Sequence, residues 1–354
     1  MSRPEHGGNL SWAATVANCP ASEILDFSAS INPLGPPQSA IAAIETHMGH
    51  IQAYPQPDYR ELREALAQFH ALPDPDWILP GNGAAELLTW GGRELAETAA
   101  TYLLTPAFGD YRRSLQAFDA RIVDNPIWQN GQIRPLSELG AAPKSAGLLI
   151  NTPHNPTGYL FSRESIRPLL ERFALVLVDE AFMDFLPPAE QQSLIAEVAN
   201  FPNLVILRSL TKFYSLPGLR LGYAIAHPER LQRWQEWRDP WSVNVLAAAA
   251  GIAVLGDRDF EAQTRTWLKV ARPQLYRGLK ELPGLDPHPG AANFLLVYSQ
   301  WPVAELQAQL LREHRILIRD CLSFPELGDR YFRVAVRTEA ENRRLLDALA
   351  RCCA

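Results

Sequence analysis

Ser209-Leu210-Thr211-Lys212-Phe213-Tyr214-Ser215-Leu216-Pro217-Gly218-Leu219-Arg220-Leu221-Gly222-Tyr223 follows the apolar run Leu204-Val205-Ile206-Leu207 and leads into a second apolar run, Leu221 to Ala226. Both runs have the form of short buried strands. A lone lysine between two buried strands is poorly placed for solvent. Burial disfavours its protonated form and turns it into an amine nucleophile. Arg220 adds a fixed cation, and Ser209 and Thr211 add hydroxyls. Together these groups suit a carbonyl cofactor that carries a phosphate. The plainer alternative is a loop lysine beside a structural arginine.

Working outward, further segments have strand-then-polar-turn form. Trp77-Ile78-Leu79 runs into Gly81-Asn82-Gly83-Ala84-Ala85-Glu86 and an apolar helix. A glycine turn at a helix start is an anion cradle, because free N–H groups and the helix dipole point at one spot. It lacks the Gly-Lys-Ser/Thr of a nucleotide P-loop and is not a full dinucleotide fingerprint. Thr101 to Thr105 leads into Pro106-Ala107-Phe108, and Gly147 to Asn151 ends in Thr152-Pro153-His154-Asn155-Pro156. Leu175-Val176-Leu177-Val178-Asp179 is a buried strand with a carboxylate at its end, which needs a cation or hydrogen bonds to stay ionised. The spacing from Asp179 to Lys212 predicts one crossover helix near residues 189–199 and a return strand. Gly83, Phe108, Asn155, Asp179 and Lys212 then share one rim of a parallel sheet, where open α/β folds bind ligands.

Ser209-x-x-Lys212 followed by Gly218-Leu219-Arg220-x-Gly222-Tyr223 resembles the lysine loop of the fold-type I pyridoxal-phosphate enzymes, the aspartate aminotransferase superfamily. The longer string from Leu210 to Tyr223 is most similar to the branch that decarboxylates threonine phosphate, near the histidinol-phosphate aminotransferases. The resemblance covers nearly the whole chain. It implies an α/β fold with a large, mostly parallel sheet domain over residues 45–275 and a smaller α+β domain from residues 1–44 and 276–354. It implies pyridoxal 5′-phosphate as cofactor: Lys212 bonded to its carbonyl carbon, Asp179 holding the ring nitrogen protonated, Asn155 on the ring oxygen and Phe108 stacked on the ring. Gly83, Ala84, Ser209, Thr211 and Arg220 surround the phosphate. Tyr54 reaches the phosphate from the other subunit, which implies a homodimer with shared sites.

The same resemblance places His6, Gly7, Ser30, Asn155, Arg319 and Arg337 around the substrate. The family usually has asparagine where Ser30 stands; the serine side chain is shorter, so a phosphate contact there either needs a water or is not made. Phe182 stands where the aminotransferases usually have tyrosine, and His154 where asparagine is commoner. The expected reaction is decarboxylation of L-threonine O-3-phosphate to aminopropanol phosphate, a step resembling supply of the cobalamin linker. Transamination of histidinol phosphate is the rival. A non-catalytic ligand-binding protein on the same fold is the alternative from another class.

Composition agrees with an enzyme of this size. The 354 residues, 47% of them hydrophobic, suffice for a large core and two domains. The formal net charge of −6 and the lack of a basic cluster argue against nucleic acid as the main partner. The N-terminal residues have no signal-peptide pattern, and the longest apolar run, Val243 to Gly256, is too short for a bilayer, so a cytoplasmic location is expected and no membrane partner. Cys19, Cys321, Cys352 and Cys353 show neither metal spacing nor a disulfide framework, so no metal is expected. In the C-terminal part, Arg319 and Arg337 follow apolar strands, where a guanidinium can clamp a carboxylate or phosphate through two bonds; Tyr331 to Arg337 reads as one strand.

Overall fold

Strands buried on both faces read as continuous apolar runs, and those runs form one sheet. In the computed structural model, which describes residues 3–129 and 131–353, seven strands lie in the spatial order Ile78–Asn82, Leu221–Ala226, Leu204–Ser209, Leu175–Asp179, Gly147–Asn151, Thr101–Thr105 and Ile122–Pro126. Neighbours from Leu204–Ser209 to Ile122–Pro126 pair in parallel; Leu221–Ala226 runs antiparallel to both of its neighbours. Alternate residues face two cores: Val176 and Val178 lie in one, Leu175 and Leu177 in the other. The register pairs Asn151 with Asp179 and Asp179 with Leu207, so the strand ends come level along one rim. This is the mostly parallel sheet that the sequence predicts.

The crossover between Asp179 and Leu204 differs from expectation. It contains short 3-10 turns at Met183–Phe185, Pro188–Glu190 and Ile195–Glu197, and no α-helix over 189–199. Proline at 187 and 188 restricts the backbone there. The fully buried Glu180 carboxylate then accepts from the Ser193 hydroxyl at 2.7 Å and the Leu194 amide at 2.8 Å, which fixes an irregular path.

A four-stranded antiparallel sheet forms from the C-terminal part, in the order Leu285–Pro287, Phe294–Ser299, Tyr331–Ala335 and Arg319–Asp320. Helices Val303–His314 and Glu339–Cys352 pack against each other beside it, the second opened by a capping box between Thr338 and Glu341. Strand Leu25–Asp26 pairs in parallel with Ile316–Leu317, so both ends of the chain build this unit. The division drawn at residue 45 falls inside helix Gln38–His47, which packs on Val245–Leu255. The 23-residue helix Arg258–Lys280 packs on strand Leu285–Pro287 and helix Glu339–Cys352. No helix among the described residues is long and apolar enough to cross a membrane.

Candidate active site

Strand Leu204–Ser209 ends where Ser209 caps the one-turn helix Leu210–Phe213 by accepting from the Thr211 amide, and that turn holds Lys212. The N-terminal segment pins the turn from outside. Asn32, buried, donates from its amide N–H to Lys212 O at 3.1 Å and from its side chain to Phe213 O at 2.8 Å. Lys212 lines a cavity of about 220 Å³ together with Phe108, Tyr111, Asn155, Asp179 and Phe182 on one side and His6, Gly7, Ser30, Arg319 and Arg333 on the other. Burial lowers the Lys212 pKa from the usual lysine range; Asp179 opposes this, while Arg220 and Arg333 add to it. Its Nζ lies 5.2 Å from the centroid of the Phe182 ring. Because a phenyl ring stands there, the amine faces a π-surface where a tyrosine would offer a hydroxyl.

Asp179 sits at the end of its strand with both carboxylate oxygens engaged. Tyr111 Oη donates to Oδ2 at 2.7 Å and the Ala181 amide donates to Oδ1 at 2.9 Å. Burial raises the Asp179 pKa, against the pull of Lys212 and these two donors. A half-buried carboxylate with too little cationic company is completed by a positive group placed against it.

The phosphate-type cradle lies beside Lys212. Gly83, at φ 76°, caps helix Ala84–Ala96, and a Cβ there would stand 2.6 Å from Arg220 Nη2, so the guanidinium packs directly against the turn. A Cβ on Gly222 would meet the Ala84 amide at 2.5 Å. Ser209 Oγ and Thr211 Oγ1 are 2.7 Å apart and buried. Helix-start amides, two hydroxyls and a guanidinium are donor types that suit a phosphate; Gly83, Ala84, Ser209, Thr211 and Arg220 are not in the lining of the cavity that holds Lys212.

The opposite wall comes from the chain ends. Gly7 and Gly8 dock on Ser28: the Gly8 amide donates to Ser28 Oγ at 2.8 Å, and a Cβ on Gly7 would clash with Ser28 O at 2.3 Å. The expected close approach of Gly7 to a ligand is thus first a close approach to Ser28, and it brings the backbone of this arm to the cavity. The His6 ring lies 5.5 Å from that of Phe108. Arg319, buried, donates to Glu5 O and to Ser323 Oγ. Ser30 Oγ is buried and has no hydrogen-bond partner among the described residues.

One expectation needs correction. Arg337 does not line the cavity. The ladder stops at Ala335, and Arg337 lies beyond it, donating to Asp26 O at 3.1 Å and pairing with Glu341 at 2.8 Å at the start of the last helix. The arginine that lines the cavity together with Arg319 is Arg333, mid-strand and opposite it in the sheet register. Its Nη1 donates to Asn155 Oδ1, its guanidinium carbon lies 4.7 Å from the Phe294 ring centroid, and its Nε has no partner among the described residues. The sequence signal was an arginine inside an apolar strand rather than after it. Tyr54 is 80% exposed, tilted against Trp241 with ring centroids 4.7 Å apart, and does not line the cavity of its own chain. Tyr111 was missed too, although it stands one helical turn after Phe108. His154 is buried outside the lining, with Nδ1 2.8 Å from Thr157 Oγ1.

Comparison with known proteins agrees with this geometry. The chain is 39% identical to a threonine-phosphate decarboxylase of Salmonella typhimurium over 97% of this chain and 95% of that one. It is 36% identical to a histidinol-phosphate aminotransferase of Symbiobacterium thermophilum, covering 92% and 90% of the two chains. Its fold matches the crystal structure of L-threonine-O-3-phosphate decarboxylase from Porphyromonas gingivalis with a TM-score of 0.83 at 25% identity, over 92% of this chain and 98% of that one. Residues 22–349 match the family described as aminotransferase class I and II, and the chain belongs to that family.

Proposed function

We propose that this protein is a pyridoxal-phosphate-dependent carboxy-lyase that converts L-threonine O-3-phosphate to (R)-1-amino-2-propanol O-2-phosphate and CO2, a step of cobalamin biosynthesis. The residues fit the cofactor. The cradle at Gly83, Ala84, Ser209, Thr211 and Arg220 suits its phosphate, Asp179 its ring nitrogen, Asn155 its ring oxygen, Phe108 its face and Lys212 its carbonyl carbon. Bound there, the group would supply an electron sink for the pair left when a bond at Cα breaks.

The observation that carries the reading is a pair of guanidiniums in the lining of the cavity that holds Lys212: Arg319 and Arg333, cross-strand neighbours and both buried. Arg333 is bonded to Asn155. Arg319 is bonded to the N-terminal arm. A substrate with a carboxylate and a distal phosphate occupies both, so the arginines decide which Cα bond is presented to the sink. Anchoring the phosphate at Arg319 and His6 would orient the substrate so that its carboxylate leaves as CO2. Lys212 Nζ, carrying a proton, would deliver it to Cα and so give the amine. The arm over the cavity limits water that could compete for that proton. Asp179, Tyr111 and Asn155 hold their positions throughout.

The second reading, transamination of histidinol phosphate, is favoured by the relative from Symbiobacterium and needs the same lysine as base at Cα–H. One experiment separates the two. Purified protein is given L-threonine O-3-phosphate, and separately histidinol phosphate with 2-oxoglutarate. CO2 and an amine from the first with no glutamate from the second support the proposal, and steady glutamate from the second overturns it.

A further inference from the structure

At the far end of the C-terminal unit, three groups of differing chemistry converge. Glu313 and His314 close helix Val303–His314, and Cys352 closes helix Glu339–Cys352. A carboxylate oxygen, an imidazole nitrogen and the thiol sulfur all lie within 4.8 Å of one another. His314 Nε2 is buried and has no hydrogen-bond partner among the described residues, although the Glu313 Oε2 it faces is only 3.9 Å away. A buried ring nitrogen left unsatisfied beside a carboxylate and a thiol is a costly arrangement unless something fills the space between them. His314 is absent from the lining of the cavity that holds Lys212.

We infer that Glu313, His314 and Cys352 bind one zinc ion. The donor set selects the metal: thiolate and imidazole suit Zn²⁺, whereas Mg²⁺ and Ca²⁺ call for oxygen donors. Bond lengths of about 2.0–2.3 Å set tetrahedral donor–donor distances near 3.5 Å, so the cluster closes by roughly an ångström. The side chains can do this. Glu313 is exposed, with only a 3.3 Å contact from Gln309 Nε2 to release. Cys352 is the last helical residue and half-buried. On binding, the thiol gives up its proton, and the fourth position stays open to solvent.

Four nearby cations temper the affinity: Arg315, Arg343, Arg344 and Arg351 line the adjoining cleft with His314. Arg315 is already paired with Glu23 and Arg343 with Glu339, and Arg344 donates to the His314 carbonyl. Zinc here would tie the last helix to the segment that runs through Ile316 and Leu317 into Arg319. The linear sequence hides the site because its donors come from two helices far apart in the chain.

The holoenzyme, stripped by a chelator and titrated with zinc sulfate, should take up one additional zinc per chain with a rise in melting temperature. X-ray absorption should show one sulfur at about 2.3 Å among nitrogen or oxygen neighbours. Cys352→Ser and the surface variant Glu313→Gln should each weaken binding at least about tenfold, since losing even an outer partner of a metal ligand costs that much. Zinc with oxygen and nitrogen neighbours alone, or wild-type affinity in both variants, would overturn the assignment, as would no uptake by the wild-type protein. Glu313→Gln leaves the buried packing untouched, so the test stands even where Cys352→Ser folds poorly.

Discussion

Tyr111 donates a 2.7 Å hydrogen bond to Asp179 Oδ2, and both side chains line the same cavity. The phenol is fully buried, and burial together with the Asp179 charge holds its proton tightly, so it serves only as a donor. The bond therefore stabilises the ionised carboxylate that a cationic ring needs. A charge-assisted bond of this kind contributes about 1.5–3 kcal/mol, so Tyr111→Phe should lower kcat/KM by roughly ten- to a hundredfold. It should also speed cofactor release, followed by absorbance. Asp179→Asn should be worse, and adding Tyr111→Phe to it should cost little more. Full additivity would mean the two act apart.

Arg333 and Arg337 separate by location. Arg333→Ala leaves Asn155 without its donor and the cavity without one of its two guanidiniums, and should cost at least tenfold in kcat/KM. Arg337→Ala removes the pair with Glu341 and the bond to Asp26 O, so it should lower the melting temperature while KM stays near wild type. Steady-state kinetics and thermal melts on both variants decide it; a large KM rise in Arg337→Ala would reverse the assignment.

This pair also marks what was legible beforehand. Unbroken apolar runs such as Leu175 to Val178 and Leu204 to Leu207 fixed the sheet, because burial on both faces leaves little alternative. The polar residues that end those runs had to share a rim, so Asp179, Asn155 and Lys212 could be grouped without coordinates. Arg333 and Arg337 could not be told apart, since both have the strand's parity and only the ladder shows where pairing stops. The Pro-rich link after Asp179 was misread as helical because length, not local chemistry, had suggested it. Tyr111 and the Glu313–His314–Cys352 group were invisible for the reason that their partners come from distant elements.

His154 supplies a pH test of stability. The ring is fully buried and its pKa is lowered from 6.5 to about 3, chiefly by burial. In the unfolded chain the same group takes up a proton below about 6.5. Between those values the unfolded state binds more protons, so stability falls as pH drops through that window. One proton is worth about 1.4 kcal/mol per pH unit once fully developed. From about pH 7.5 to 5.5, wild type should therefore lose roughly 1 kcal/mol more than His154→Asn in urea unfolding. Identical losses would show that His154 titrates normally in the fold.

Tyr54 and Trp241 form an exposed aromatic pair, with Met48 and Ile51 also exposed nearby in sequence. Such apolar surface on a chain with a buried site fits covering by a second copy. A homodimer is expected by light scattering, and Tyr54→Ala should weaken cofactor retention even though Tyr54 does not line its own chain's cavity. A monomer with full activity would remove that role from Tyr54.

Arg319 gives the sharpest test of substrate choice. It is buried in the cavity lining, held by Ser323 Oγ at 2.6 Å, by Glu5 O and by Asp320, which Arg3 also engages at 2.9 Å. These contacts fix the guanidinium where the N-terminal arm brings His6, so a distal phosphate meets a preset cation rather than recruiting a mobile one. Binding that phosphate would draw Arg319 from the Glu5 carbonyl, and the arm would shift with it. A charge-assisted contact to a phosphate contributes about 1.5–3 kcal/mol, so Arg319→Ala should reduce kcat/KM for L-threonine O-3-phosphate about ten- to a hundredfold. Unphosphorylated L-threonine never makes the contact, and its much lower kcat/KM should change little. The measurement is the ratio of the two values in wild type and variant. A ratio that collapses assigns the phosphate to Arg319; equal proportional losses would move the phosphate elsewhere and leave Arg319 as the fastening for the arm.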